Sequence, residues 1–194
     1  MPQGAPLELD KRVLKEDYCN YDLIARCWND EYRGVIWKNK ERIADYDGMD
    51  LDEIMAELRD VVDEMQAEKR KARGRSKPGA EELAEAIRSI EPKLTRPQKM
   101  MLILHNKSPT KKVSIKGLSR VGEYTDEEAA FRDYAVVAQR LSDELAYAPR
   151  PRKKNAHPTA SILFEEEIIE GKVDAETTVT LRPEIVEALT LLQW

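Results

Sequence analysis

The sequence predicts an α+β protein in which a small β-meander and one helix precede a helical, winged-helix-like domain. Strand-like runs separated by turn residues fill much of the first 50 residues, and a strongly amphipathic helix follows them. The second half holds three closely spaced helices and then two β-rich runs. The predicted organisation is a β-β-β-α module at 1–75, a linker with a short helix at 76–93, and a winged-helix-like domain at 94–194.

The strands of the first module are predicted from β-branched and aromatic residues that lie between turn signals. They run from Leu23 to Trp28, from Arg33 to Lys38 and from Ile43 to Tyr46. The preceding segment, Leu7 to Asp17, fits either a short helix or an extended lead-in.

The helix after these strands is predicted from an apolar stripe at helical spacing. The stripe consists of Leu51, Ile54, Met55, Leu58, Val61, Val62 and Met65. Asp50 is a suitable N-cap, because its carboxylate can accept the free amides of the first turn, and Glu53 completes a capping-box-like pair. A helix with one apolar stripe needs a surface to cover, and the strands supply it.

The order of the module has a counterpart in a known family. A strand that ends in a glycine turn, here Gly48, and leads into a capped helix resembles the small β-β-β-α module of HicB-like antitoxins. The likeness covers about a quarter of the chain and rests on the order of the elements.

The segment from Glu68 to Pro78 is charged, ends in glycine, serine and proline, and is predicted to be a linker. Its cations could form a phosphate-binding patch, or they could be the solvated end of a helix followed by a hinge. No aromatic residue interleaves them, which favours the second interpretation. The cations are Lys69, Arg70, Lys71, Arg73, Arg75 and Lys77.

The helices of the second half are predicted from apolar faces, caps and breakers. A short helix spans Glu81 to Ile90, and Thr95 caps the next one, with Pro97 in its first turn. A second short helix, Ile115 to Val121, turns directly into a longer helix capped by Thr125 or Asp126, which is helix-turn-helix spacing. The β-rich runs and the last helix are Ser161 to Ile169, Thr177 to Leu181 and Ile185 to Leu192.

Residues 94–194 also resemble a module that accompanies bacterial HNH-nuclease and restriction-associated proteins. The residues that carry the resemblance are Leu94, Thr95, Gln98, Met101, Leu102, His105, Pro109, Leu118, Tyr124, Arg182, Pro183, Glu184, Ala188, Leu189 and Trp194. Two positions depart from the module, since Gly122 comes one residue early and Gln193 stands where a glycine is usual. The resemblance implies a nucleic-acid-associated protein without the nuclease part.

Composition limits the classes of function. The chain has 194 residues, 36% of them charged, and a net charge of −5, which does not favour non-specific binding to nucleic acid or to anionic membranes. The charge is distributed unevenly along the chain, with net charges of −4 over residues 1–75, +1 over residues 76–148 and −2 over residues 149–194. The absence of a signal peptide or a membrane-spanning run, together with two cysteines, predicts a cytoplasmic protein with reduced thiols.

The sequence predicts no enzyme and no catalytic, cofactor-binding or metal-binding residues. It shows no nucleophile elbow, no phosphate-cradling glycine loop and no metal-ligand spacing. His105, late in a helix with an apolar face, could be a base or a ligand. A hydrogen-bonded structural histidine is the favoured interpretation.

The leading hypothesis is therefore a non-enzymatic, DNA-associated regulatory or accessory protein of a bacterial or phage defence or restriction context. Its phosphate contacts are predicted at Lys111, Lys112, Lys116, Arg120, Arg132, Arg140, Arg150, Arg152, Lys153 and Lys154. One feature opposes it, because the predicted recognition helix opens with the acidic stretch Asp126 to Glu128, at the end that normally enters the major groove.

The alternative hypothesis is an acidic protein-binding inhibitor or modulator encoded by a phage or mobile element. Its contacts are predicted at Trp28, Tyr32 and Trp37, since aromatic residues concentrate binding energy at interfaces. For Trp28 and Trp37 the competing interpretation, which we favour, is a place in the small core. A homodimer through either half stays open.

Overall fold

The computed structural model describes residues 10–149, 157, 159–166, 168, 173–174 and 176–194. The architecture is α+β, as predicted, with a four-stranded antiparallel sheet followed mainly by helices. The chain divides into two compact units, an N-terminal unit of residues 1–68 and a C-terminal unit of residues 69–194.

The N-terminal unit contains a four-stranded antiparallel meander in the order β1-β2-β3-β4. The strands are β1 (Val13–Tyr18), β2 (Tyr21–Trp28), β3 (Glu31–Lys38) and β4 (Glu41–Gly48). Two-residue turns join them, and both residues of each turn have positive φ, as in the tight hairpin turns that match strand twist. The prediction of three strands is therefore wrong by one, because the undecided segment before Leu23 contains β1.

The helix α1 (Leu51–Arg73) packs across one face of this sheet. It begins as predicted, since the Asp50 carboxylate accepts a hydrogen bond from the Glu53 amide at 2.8 Å. A side chain at Gly34 in β3 would overlap Ile54 and crowd Leu58, so the glycine permits close approach of helix and strand. The predicted linker from Glu68 begins too early, because α1 continues to Arg73.

The sheet has two different faces because side chains alternate along each strand. The face under α1 holds a buried core built on Tyr21, Leu23, Ala25 and Ile36. We call the opposite side the open face. It carries Val13, Lys15, Asp17, Asp22, Ile24, Arg26, Trp28, Glu31, Arg33, Val35, Trp37, Arg42, Asp45 and Asp47, by the strand register.

The C-terminal unit is mainly helical and contains one short two-stranded sheet. Its elements are α2 (Ala80–Ile90), α3 (Arg96–Lys107), β5 (Lys112–Ser114), α4 (Ile115–Val121), α5 (Glu127–Leu145), β6 (Thr178–Thr180) and α6 (Pro183–Leu191). The predicted helices are present. The short helix predicted within a linker at 76–93 is α2, and it contributes Leu83, Ile87 and Ile90 to the core of the unit.

Of the two predicted β-rich runs, Thr177 to Leu181 contains the short strand β6, and residues 167 and 169 of the other run lie outside the described residues. β5 and β6 pair antiparallel, and Phe164 forms a single bridge with Leu181 beside them. The predicted strand from Ser161 begins instead as a single 3₁₀ turn at Ala160–Ile162. Its apolar residues still point inward, since Ile162, Leu163 and Phe164 are buried in the core.

Candidate nucleic-acid interface

Three of the predicted phosphate contacts, Lys112, Lys116 and Arg120, are exposed on β5 and α4. Ser114 caps α4 by accepting a hydrogen bond from the Gly117 amide at 3.1 Å. Burial of Ile115 and Leu118 turns the opposite side of the helix outward. Lys116 and Arg120 are four residues apart and therefore share that outer side. Among the described residues none of the three cations has an ion-pair partner, so we call them the α4 cation cluster.

Lys111 does not belong to this cluster, although it precedes it directly. Its backbone has a positive φ of 56°, and its ammonium group donates to the backbone carbonyl of Asn106 and, at 3.3 Å, to the side-chain oxygen of the same residue. Its charge is used to close the turn between α3 and β5. The structure therefore places Lys111 in this turn and apart from the exposed cations that follow it.

The predicted recognition helix, α5, has one side buried. Nine of its nineteen residues, including Phe131, Tyr134 and Leu141, are buried. Arg132 is exposed but lies 3.9 Å from the Asp126 carboxylate and 3.7 Å from the Glu128 carboxylate. Asp126 is the N-cap, accepting from the amides of Glu128 and Ala129. The helix therefore has no continuous basic side that could face a DNA groove. The charge of its exposed Arg132 is balanced by the carboxylates of Asp126 and Glu128.

The remaining predicted cations fall into two groups. Arg140 is half-buried on α5, which removes it from an open phosphate-binding surface. Arg150, Arg152, Lys153 and Lys154 lie outside the described residues.

The basic last turn of α1 and the segment after it line a groove of about 990 Å³ within the C-terminal unit. Arg73 is not available there, because its guanidinium binds the Leu145 carbonyl at 2.7 Å and pairs with Glu82. Arg70 and Arg75 are exposed on the rim and have no ion pair within the described part of the chain. The other charged residues of the lining are Lys77, Glu165, Glu166, Arg182 and Glu184, which makes the groove mixed in sign.

His105 is fully buried and uses both ring nitrogens in hydrogen bonds. Nε2 lies 3.0 Å from the Val179 carbonyl oxygen and Nδ1 lies 3.1 Å from the Tyr134 hydroxyl. Because a carbonyl only accepts, Nε2 carries the proton, and Nδ1 accepts from Tyr134. Burial lowers the pKa of His105 from 6.5 to about 4, so the ring is neutral near pH 7. This histidine joins α3, α5 and β6 and has a structural role.

A second polar network ties the start of α3 to α5. Thr95 and Gln98 form a capping box, with distances of 2.9 Å and 3.3 Å. The Gln98 amide donates to the Asp133 carboxylate at 2.8 Å, and the Tyr124 hydroxyl donates to the same carboxylate. Several residues that carry the nuclease-module resemblance, namely Thr95, Gln98, His105 and Tyr124, thus make framework contacts.

The three predicted protein-binding aromatic residues do not form one site. Trp28 and Trp37 lie on the open face, and Trp28 is 49% exposed with the Arg26 guanidinium 4.5 Å from its ring centre. Tyr32 lies on the opposite face, packed against the core, and its hydroxyl accepts from the Asp10 amide at 2.7 Å. The favoured interpretation of the two tryptophans as core residues is wrong, because the core of this unit is built on the other face.

No family model matches the chain, and no match was found among the curated proteins or the solved structures. Within the described residues, no helix has the length and apolar character needed to cross a membrane. The same part of the chain contains no group of three or more histidine, cysteine, aspartate or glutamate residues arranged to hold a metal ion.

Proposed function

We propose that the protein is a non-enzymatic, DNA-associated accessory or regulatory factor whose C-terminal unit contacts the phosphate backbone of duplex DNA. The observation that carries the proposal is the α4 cation cluster, three exposed cations on adjoining elements without ion pairs in the described residues. Lysine and arginine of this kind bind phosphate oxygens and release counterions on binding. The proposal places the protein in the cytoplasm of a bacterial or phage-infected cell.

The division of charge supports the same unit as the DNA-binding part. The C-terminal unit has 23 lysine and arginine residues against 19 aspartate and glutamate residues, net +4. The N-terminal unit has 9 against 18, net −9. The positive C-terminal unit attracts a phosphate backbone, and the negative N-terminal unit repels it.

The order of elements supports a winged-helix-like arrangement for this unit. One strand, β5, lies between α3 and α4 and pairs with β6, which follows the two-helix turn. Because one side of α5 is buried and its start is acidic, the proposed contacts come from β5 and α4. Backbone contacts position a protein but carry no direct sequence information, so binding should depend weakly on base sequence.

Titration of a fluorescent duplex by anisotropy tests this proposal. Replacement of Lys112, Lys116 and Arg120 by alanine should weaken binding on the order of tenfold or more at low salt and reduce the salt slope by close to one per lost contact. The single variants Lys116→Ala and Arg132→Ala each remove one positive charge. Lys116→Ala should weaken binding, whereas Arg132→Ala is the matched control and should change the affinity little. Unchanged affinity in the triple variant, or no binding by the wild type at low salt, refutes the proposal.

A second candidate, an acidic protein-binding modulator, is favoured by the outer side of α1. Glu53, Glu57, Asp60 and Glu64 are exposed there at helical spacing and have no ion pair in the described residues. This acidic ridge suits a protein partner with a basic surface. A protein partner that binds the wild type should no longer bind the double variant Glu57→Lys with Glu64→Lys. The same partner should still bind the control double variant Asp45→Lys with Asp47→Lys. If no protein depends on the ridge, this candidate fails.

A further inference from the structure

The groove of about 990 Å³ in the C-terminal unit takes no part in the DNA contacts proposed above, because Lys112, Lys116 and Arg120 do not line it. Its volume is close to the upper end of the range of about 300–1,000 Å³ that is usual for sites that bind small molecules. Its lining combines cations at the end of α1 with an apolar wall and three carboxylates. Each of these parts limits the chemistry of the ligand that the groove can take.

The cations at the end of α1 are only partly used by the protein itself. Arg73 is held by a backbone carbonyl and a carboxylate, and Gly74 follows it with positive φ, so the backbone turns there and the helix ends. Arg70 and Arg75 lie on either side of this fixed segment. Both are exposed, and neither has an ion pair in the described part of the chain. Two such guanidinium groups are suited to bind phosphate, whose oxygens match their fork of donors.

The carboxylates of the lining do not cancel this positive charge. Both oxygens of Glu166 accept from Thr180, from its amide at 2.7 Å and from its hydroxyl at 2.6 Å. Glu184 is balanced by Arg182 at 3.5 Å, and Glu165 is exposed. The described lining has five cations against three carboxylates, and one further carboxylate pairs with a lining arginine, which leaves one positive charge in excess. The groove therefore favours an anionic ligand.

The fold brings an aromatic ring to these cations from a distant part of the chain. Tyr147 follows α5, about seventy residues after Arg75, and lines the same groove half-buried. Its amide donates to the Ser142 carbonyl at 3.0 Å, and its carbonyl accepts from the Ser142 hydroxyl at 2.8 Å, so its backbone is fixed. Leu83 and Ile162 continue the apolar wall. The lack of an aromatic residue among the cations, which favours a solvated segment in the sequence, does not hold for the folded groove.

Two polar side-chain atoms of the lining, Ser161 Oγ and Glu184 Oε2, are buried without a hydrogen-bond partner in the described part of the chain. Buried polar atoms are rarely left unpaired in folded proteins, because the loss of water costs free energy. A hydroxyl can donate or accept, and an ionised carboxylate only accepts. A ligand that carries hydroxyl or amino groups can therefore supply the missing partners.

We propose that this groove binds a nucleoside phosphate, with the phosphate groups on Arg70 and Arg75 and the base against the ring of Tyr147. The hydroxyl or amino groups of the nucleoside then pair with Ser161 and Glu184. An inorganic phosphate satisfies only the cations, and an uncharged nucleoside satisfies only the ring and the two unpaired atoms. A free nucleotide and the phosphorylated end of a nucleic-acid strand both offer the complete chemistry.

Isothermal titration calorimetry of the full chain with ADP tests the proposal. The wild type should bind ADP with a dissociation constant in the micromolar to submillimolar range, and adenosine and pyrophosphate should each bind at least about tenfold more weakly. Arg70→Ala with Arg75→Ala should weaken ADP binding at least about tenfold, because charge-assisted hydrogen bonds are lost. Tyr147→Ala should weaken it about fivefold or more, whereas Tyr147→Phe keeps the ring and should bind within about twofold of the wild type.

Lys71→Ala with Arg88→Ala is the matched control, since it removes two exposed cations that do not line the groove and should leave ADP binding intact. Circular dichroism of each variant verifies folding. The proposal is overturned if the wild type does not bind ADP at millimolar concentration, if pyrophosphate binds as tightly as ADP, or if the Arg70 and Arg75 double variant binds as the wild type does. It also fails if the control variant loses as much affinity as that double variant.

Competition with a short oligonucleotide separates the two sources of the ligand. Displacement of ADP by the 5′-phosphorylated oligonucleotide, but not by the same oligonucleotide with a 5′-hydroxyl, assigns the groove to strand ends. Displacement by neither assigns it to free nucleotides. Equal displacement by both makes the groove a part of general contact with the nucleic-acid backbone and overturns the proposal.

Discussion

The two units of this protein differ in where they place charge. In the N-terminal unit the core is apolar apart from the buried side chains of Asn20 and Gln66, and an excess of carboxylates lies on the outside, much of it on α1. In the C-terminal unit polar side chains such as Gln98 and His105 are buried and hydrogen-bonded, while several cations stay exposed. The overall charge of −5 is thus the sum of a strongly acidic unit and a mildly basic one. Net charge of a whole chain is a poor guide to partners when the units have opposite signs.

The largest effect on stability is expected at Gly34, where β3 and α1 of the N-terminal unit are in close contact. Gly34→Ser adds a side chain that overlaps Ile54 and buries a hydroxyl group. It should destabilise the N-terminal unit by about 3 kcal/mol or more. Gly79→Ser is the control, since no atom lies within 4 Å of an added Cβ and serine is a good N-cap. Urea unfolding followed by tryptophan fluorescence measures both, and equal stability of the two variants contradicts the packing described for Gly34.

A pH effect should separate the two units, because only the C-terminal unit contains a buried neutral histidine. Between pH 6.5 and about 4 the unfolded chain binds a proton at His105 that the folded chain does not. The contribution of His105 to the free energy of unfolding is therefore fully present above pH 6.5. It decreases as the pH falls towards 4, by about 3 kcal/mol in total.

The variant His105→Gln provides the reference for that measurement. Glutamine can still bond to Val179 but does not titrate in this range, so the difference in unfolding free energy between wild type and variant should shrink as the pH falls from 6.5 to 4. A difference that stays constant over this interval would show that the histidine does not lose its proton on folding.

A smaller effect distinguishes the two candidate caps of α5. The Asp126 carboxylate accepts from two backbone amides, at 3.2 Å and 2.9 Å, whereas Thr125 is exposed outside the helix. Asp126→Ala should cost about 1 kcal/mol in unfolding free energy, and Thr125→Ala should cost close to nothing. Thermal unfolding of both variants tests the assignment, which fails if the two costs are equal or reversed.

The smallest effect concerns long-range charge. Replacing Glu53, Glu57 and Glu64 by glutamine reduces the acidity of the N-terminal unit without touching the α4 cation cluster. Affinity for duplex DNA should rise by no more than about threefold at low salt, and the gain should disappear at high salt as the charges are screened. A loss of affinity would mean that the acidic ridge takes part in binding.

Much of the fold could be predicted from local patterns. The limits of α1, α3, α4, α5 and α6 were predicted to within a few residues at most of their ends, because caps, prolines and apolar stripes act within a few residues of the backbone they affect. The segment that contains β1 fits either a helix or a strand by its own residues, although Asn20, Asn29 and Asn39, one in each turn, follow one another at intervals of 9 and 10 residues. Recognition of that spacing would have revealed the fourth strand.

The candidate sites could be predicted less well, because a sequence does not show which charges are already paired. Lys111, Arg132 and Lys116 look alike in the chain, yet the first closes a turn, the second faces two carboxylates, and the third is exposed. Which face of the meander α1 covers also depends on contacts between distant residues. Trp28 and Trp37 therefore could not be assigned to the core or the surface in advance.

The sequence by itself determined the class of fold, the start of nearly every helix and the uneven division of charge, since these depend on residue identity and short-range geometry. Only the tertiary structure decided that α2 is part of a core, that one side of α5 is buried, that His105 is a structural residue, and that Trp28 and Trp37 lie on the open face. These features come from packing between segments far apart in the chain, where burial and hydrogen-bond partners are set by neighbours that no local pattern specifies.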